Sequence, residues 1–190
     1  MRIVAGLWRG RALLAPKGEG TRPTADRVRQ ALFDMLLHAP WGGYPAVVGA
    51  TVLDGFAGTG ALGLEALSRG AAHAHFIERD RAALTALRAN IATLKAPATV
   101  YATDTRHPPP GTPCTLVFLD PPYGQGLIPR ALDRLRAMGW IAPGAIIVAE
   151  TGRTEDSPHP DPLAERVHGA ARLTIWREDA RPAAGESGAD

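Results

Sequence analysis

Four consecutive residues, Asp120-Pro121-Pro122-Tyr123, follow the apolar run Thr115-Leu116-Val117-Phe118-Leu119. Together they have the chemistry to grip a planar base that carries an exocyclic amine. Such an amine is a poor nucleophile, because its lone pair is delocalised into the ring. A carboxylate oxygen of Asp120 and the main-chain carbonyl of Pro121 can accept its two hydrogens, which favours a pyramidal nitrogen with its lone pair turned toward an electrophile. The Tyr123 ring can stack on the base, a contact worth about 1–3 kcal/mol in single-strand binders. Each proline fixes φ near about −65° and biases the residue before it toward extended backbone, so the two acceptors stay in place. A plain strand-ending turn at the Asp-Pro step would fit the backbone, but it leaves two prolines and an aromatic together without a reason.

A second group of residues suggests what supplies the electrophile. Gly55, Gly58 and Gly60 follow the apolar stretch Thr51-Val52-Leu53-Asp54 and permit tight turns and close approach of a ligand to the main chain. Their spacing, G-x-x-G-x-G, is not the dinucleotide fingerprint G-x-G-x-x-G, and no G-x-x-x-x-G-K-[ST] loop for a nucleoside triphosphate occurs. Glu78, 24 residues after Asp54, ends the next apolar segment, where a carboxylate can accept both hydroxyls of a ribose. Each such charged hydrogen bond contributes about 1.5–3 kcal/mol. Asp104, in Ala102-Thr103-Asp104-Thr105, can reach an adenine edge, although an Asx turn explains it nearly as well. Three carboxylates and a glycine turn describe an adenosine pocket without a polyphosphate grip.

These residues need a scaffold that brings strand ends together. Thr24 is placed to cap a helix running to about Leu37, with Val28, Leu32, Met35 and Leu36 on one face and Asp26 favourable at its positive end. Strands are expected at 50–54, 74–78, 98–102, 115–119 and 145–149, with helices at 61–69, from Asp80 through Leu94, and at 127–138. Alternation of this kind argues for a mainly parallel sheet covered on both faces. The segment 151–162 is polar and proline-rich and reads as a loop, 172–176 reads as a closing strand, and 181–190 as a disordered tail.

With 190 residues, 45% of them hydrophobic, the chain is long enough to bury a full core in one domain. No apolar run reaches the roughly 20 residues of a membrane span, and the first residues lack a signal-peptide layout, so a soluble, cytoplasmic protein is expected. Cys114 is the only cysteine, which excludes an internal disulfide and a multi-cysteine zinc site, and reads as packing. The six histidines show no metal-ligand spacing, so no metal is expected. The net charge of +2 is lopsided: residues 1–38 carry Arg2, Arg9, Arg11, Lys17, Arg22, Arg27 and Arg29 against Glu19, Asp26 and Asp34. An arm of this kind can contact phosphates and release condensed counterions, although arginine outnumbers lysine 19 to 2 throughout the chain.

The stretch Val52-Leu53-Asp54-Gly55-Phe56-Ala57-Gly58-Thr59-Gly60-Ala61-Leu62-Gly63-Leu64-Glu65-Ala66-Leu67-Ser68-Arg69-Gly70-Ala71, with Asp120-Pro121-Pro122-Tyr123, resembles the class I S-adenosylmethionine-dependent methyltransferases of the RsmD type, which methylate guanine N2 in 16S ribosomal RNA. Arg2-Ile3-Val4-Ala5-Gly6, Trp8-Arg9-Gly10-Arg11 and Arg22 through Phe33 are similar to that family's leading hairpin and helix. The resemblance implies a Rossmann-like, doubly wound, mainly parallel seven-stranded sheet with an N-terminal β-hairpin and helix extension. It divides the chain into a basic extension at 1–40, a methyltransferase domain at 41–180 and the tail. It places Asp54, Gly58 and Gly60 at the methionine end of the cofactor, Glu78 at the ribose and Asp104 at the adenine, with Phe56 also cofactor-binding. Asp120, Pro121, Pro122 and Tyr123 take the target base, and Arg9, Arg11, Arg22, Arg27 and Arg29 contact RNA. The implied partner is 16S rRNA within the small subunit or an assembly intermediate, bound by a monomer. Residues 150–166 are short and proline-rich for the family. Three alternatives stand beside this reading: a DNA adenine-N6 or cytosine-N4 methyltransferase, a nicotinamide-dependent oxidoreductase, and a non-catalytic RNA-binding assembly factor.

Overall fold

The computed structural model describes residues 1–16 and 23–179, with the side chains of residues 23–25 outside that description. Arg22 and the expected tail at 181–190 therefore lie outside the described residues. In chain order the elements are α1 (Pro23–His38), β1 (Thr51–Asp54), α2 (Ala61–Ser68), β2 (His73–Glu78), α3 (Arg81–Leu94), β3 (Ala98–Ala102), β4 (Cys114–Leu119), α4 (Leu127–Ala137), β5 (Ile141–Gly152), β6 (Ala164–His168) and β7 (Ala171–Arg177). The seven strands form one sheet in the order β3-β2-β1-β4-β5-β7-β6. The first five are parallel, and β7 and β6 are antiparallel to their neighbours.

The central strands are mainly apolar because both faces of the sheet are covered. Successive side chains point to opposite faces. Val52, Phe76, Leu116, Phe118, Ile146 and Val148 enter one core with Leu32, Phe33 and Leu36 of α1 and Leu64 of α2. Leu53, Ile77, Val117, Leu119 and Ile147 enter the other, with Ile128, Leu132 and Leu135 of α4 and the indoles of Trp140 and Trp176. Each fully buried side chain of this size stabilises the fold by about 1.5–3 kcal/mol. Cys114 sits in the second core, where burial pushes its thiol up to about 12, so it packs and stays a thiol.

Three stretches differ from the sequence reading. The segment expected to be a loop from 151 begins as strand, because β5 runs on to Gly152 and pairs with Ala171. Beyond it, β6 is an additional strand at the edge of the sheet, mostly solvent-exposed, whose residues Ala-Glu-Arg-Val-His carry no apolar run to reveal it. The first helix begins at Pro23, ahead of the expected cap at Thr24.

The N-terminal residues double back as a short hairpin, with Ile3 N donating to Arg11 O and Gly10 N to Ile3 O. The hairpin is seated on α2. Glu65, fully buried, accepts from the backbone amides of Val4 (2.7 Å) and Ala5 (3.0 Å) and from Arg69 Nε (2.8 Å). Ser68 Oγ donates to Ala5 O and accepts from Trp8 N. Further on, Asn90 of α3 bonds both the amide and the carbonyl of Leu14.

Candidate active site

The acids expected from the sequence gather at the carboxyl edge of the sheet. β1 ends at Asp54, β2 at Glu78, and β4 delivers Asp120, while Asp104 follows β3 by two residues. In the strand order, β1 is the point from which the chain winds outward in both directions, and open sheets bind ligands in the crevice above such a point. A cleft of about 940 Å³ lies there, lined by Phe56, Gly58, Glu78, Asp104 and Asp120 through Tyr123, with Pro16 of the N-terminal arm and Glu150 at its rim.

Not all of the glycine-loop residues face this cleft. Asp54 is 2% exposed and accepts from Gly63 N at 3.0 Å. Burial, partly offset by that bond, pushes its carboxyl up to about 7, with the charge of Glu78 adding to the rise. Gly60 adopts φ +84° at the start of α2, and a Cβ there would meet Leu87 Cδ1 at 2.5 Å. Both residues brace the loop from behind and stand outside the cleft lining. Gly58 is different: its φ is +54°, and a Cβ would meet nothing within 4 Å, since it opens onto the cleft.

Glu78 holds the loop in turn. Its Oε2 accepts from Gly58 N at 2.7 Å, and its Oε1 from the amides of Arg79 and Asp80 at 2.7 Å each. A carboxylate offers about four acceptor positions, so one remains for a ligand where two ribose hydroxyls were expected to bind. Asp104 is fuller still. It accepts from Arg106 N, Nε and Nη2 and from Arg79 Nη1, at 2.7–2.9 Å. Those bonds, with Arg106 first among them, hold its carboxyl well below the usual range. Asp104, expected to reach the adenine, lines the cleft with its carboxylate bonded to these two guanidinium groups.

At the other end, Pro121 is buried and Pro122 exposed, and Tyr123 is 46% exposed with its ring on the cleft. The Tyr123 hydroxyl donates to Glu150 Oε1, and burial followed by that bond raises its pKa. Asp120 is exposed where it lines the cleft. Desolvation by the surrounding walls, then the charges of Glu150 and Asp54, raise its proton affinity well above that of an ordinary carboxyl. Glu150 was not singled out from sequence. The signal was available: like Asp54, Glu78 and Asp120, it is an acid closing an apolar run, Ala145-Ile146-Ile147-Val148-Ala149.

The arginines divide. Arg9, Arg11 and Arg27 are exposed, and Arg9 and Arg27 line a groove of about 770 Å³ with Arg2. Arg29 is 5% exposed, donates to Arg2 O and to Asp26 Oδ1 (2.9 Å), and lies 3.5 Å from Glu65. Arg29, expected to contact RNA, thus has its guanidinium enclosed between α1, α2 and the hairpin.

A β3-β2-β1-β4-β5-β7-β6 sheet with a glycine loop after β1 and Asp120-Pro121-Pro122-Tyr123 after β4 has the architecture of the Rossmann-like methyltransferases. A family model described as "Conserved hypothetical protein 95" matches residues 1–177, and the chain belongs to this family, the RsmD type. It is 43% identical to "Ribosomal RNA small subunit methyltransferase D" of Escherichia coli (strain K12), over 100% of this chain and 94% of that protein. It superposes on a solved structure described as a putative methyltransferase, yhhF, from Escherichia coli with a TM-score of 0.82 and 41% identity, covering 95% of this chain and 99% of that one. A 16S rRNA N2 G1207 methyltransferase of T. thermophilus, solved with AdoMet and guanosine, shares the fold at a TM-score of 0.63 and 18% identity over 85% of this chain and 44% of that one.

Proposed function

We propose that this chain transfers a methyl group from S-adenosylmethionine to the exocyclic N2 of a guanine in the 16S rRNA of the small ribosomal subunit, as a cytoplasmic monomer. The observation that carries this reading is the opening of the Asp120–Tyr123 clamp onto the same cleft as Gly58 and Glu78. The name of the relative at 43% identity over the whole chain supports it. No described helix is long and apolar enough to cross a membrane.

The residues present fit this cofactor. Gly58 leaves its backbone bare to the cleft, Glu78 has an acceptor position to spare, and Phe56 and Ile77 give apolar walls. Phe56, Gly58 and Glu78 would hold S-adenosylmethionine, with Asp54, Gly60 and Asp104 acting behind them through the loop and the arginines. When bound, the cofactor supplies an electrophilic methyl group carried on a sulfonium. Asp120 and the Pro121 carbonyl hold the amine by its hydrogens, Tyr123 stacks on the ring, and the prolines keep both acceptors in register. The amine nitrogen would receive the methyl group of S-adenosylmethionine, and Asp120, lining the same cleft, would take the proton that the amine releases. Positioning of the two reactants accounts for as much as roughly 7–11 kcal/mol of barrier lowering. No metal and no covalent enzyme intermediate enter this scheme.

Asp120→Ala is expected to lower methyl transfer by about 10²-fold or more, while calorimetry shows S-adenosylmethionine still bound. Full activity in that variant would overturn the assignment of the clamp.

A further inference from the structure

The Asp120 clamp grips an amine without specifying the base, because guanine N2, adenine N6 and cytosine N4 each present two hydrogens. The bases differ at the neighbouring ring nitrogen. Guanine N1 carries a hydrogen, whereas adenine N1 and cytosine N3 carry a lone pair. A second fixed acceptor beside Asp120 would tell them apart. Glu150 occupies that place. β4 and β5 are hydrogen-bonded neighbours with Leu119 in register with Ala149, so the residues that follow, Asp120 just past the end of β4 and Glu150 within β5, lie side by side. Neighbouring strands lie about 4.8 Å apart, within the span of a base edge.

Three further observations join the two residues. Both line the large cleft, and both also line a pocket of about 310 Å³ whose walls include Leu32, Leu62, Leu119, Val148 and Leu173. That is a small, mainly apolar cavity of a size to take a flat heterocycle, with Arg29 and His168 as the other polar side chains of its lining. The Tyr123 hydroxyl donates to Glu150, which ties this carboxylate to the ring expected to stack on the base. The charge of Glu150 also contributes to the raised proton affinity of Asp120, so the two groups feel one another directly.

We propose that Glu150 selects guanine by accepting its N1–H while Asp120 accepts its N2 amine, a role that rests on the methyl-transfer reading above. Two acceptors side by side match the two adjacent donors of guanine. Against adenine or cytosine, Glu150 would face a lone pair, and sites built around a hydrogen bond reject partners that cannot make it. Glu150 thus acts as a specificity residue, reading a base extruded for reaction by its Watson–Crick edge.

The test uses small-subunit particles that carry, at the mapped methylation position, either guanosine or 2-aminopurine riboside. The analogue keeps the N2 amine but has a lone pair at N1. The full-length wild-type chain is expected to prefer guanosine by about 10-fold or more in kcat/KM, the size of one lost charged hydrogen bond. Glu150→Gln, whose amide can donate to the bare N1, is expected to narrow that preference by about 10-fold. The ratio between the two enzymes cancels any difference in the intrinsic reactivity of the two amines. If Glu150 only props Tyr123, Glu150→Gln lowers both substrates alike, and that result overturns the proposal, as does equal transfer to both bases by the wild type. Failure of the wild type to methylate the guanosine particle would instead overturn the methyl-transfer reading, and the role of Glu150 with it.

Discussion

Asp54 shows how much of a site can lie behind the surface that meets the ligand. It carries a carboxylate under the glycine loop, 2% exposed, with a pKa of about 7 against an ordinary 3.8. Well below its ordinary value of 3.8 the group is neutral in both folded and unfolded chains and costs nothing. As pH rises toward 7 the unfolded chain ionises freely while the folded one resists, so stability is lost across that window, by up to roughly 4 kcal/mol. Asp54→Asn keeps an acceptor for Gly63 N but cannot ionise. Its melting temperature, measured without cofactor, is expected to fall less than that of the wild type between about pH 4 and pH 8; parallel curves would show that the burial of Asp54 carries no such cost. Individual residues were legible in the sequence to different depths. Asp120 and Tyr123 announce themselves by an unusual combination of types. Asp104 and Arg29 were read correctly as charged residues near the right elements, but the sequence does not say which partner a charge has found. Here each found a charged partner within the protein before any ligand: Asp104 its two arginines, Arg29 the carboxylates of Asp26 and Glu65.

Among the elements, the buried parallel strands were readable almost to the residue, because coverage on both faces writes them as unbroken apolar runs. β4 runs Cys114–Leu119 where its apolar run predicts 115–119. β6 escaped because an edge strand with solvent on most of its side chains has no such constraint. The seat of the hairpin on α2 escaped for another reason. Glu65 stands in an otherwise apolar helix, Ala61-Leu62-Gly63-Leu64-Glu65-Ala66-Leu67, and nothing local reveals that residues some sixty positions earlier supply its partners. Such a carboxylate depends on its cations. Arg29→Ala leaves Glu65 with Arg69 alone and is expected to destabilise the protein by about 3 kcal/mol in urea melts. Replacing Arg9, Arg11 and Arg27 with Ala should leave stability within about 0.5 kcal/mol. The same triple variant should flatten the salt dependence of RNA binding by about 0.7–0.9 log units per lost phosphate contact. A stable Arg29→Ala protein, or an unchanged salt slope in the triple variant, would contradict this division between structural and RNA-facing arginines.

At the scale of the whole molecule, the two ends of the reaction are set by different parts of one sheet. β1 and β2 bring the glycine loop and Glu78, β4 and β5 bring the clamp and Glu150, and the basic hairpin and α1 lie along the face where Arg2, Arg9 and Arg27 line a groove. The chain's charge follows that layout, since the positive excess is concentrated in residues 1–38. A long RNA held along the groove would present a flipped base to the cleft, where geometry rather than sequence-specific backbone contact selects it. The most direct measurement is mass mapping of modified nucleotides in small-subunit RNA, taken from cells lacking this protein and treated with the purified chain and S-adenosylmethionine. One N2-methylguanosine is expected in 16S rRNA, absent before treatment and absent again with Asp120→Ala; an unmodified RNA, or a methyl group on adenine or cytosine, would contradict the account.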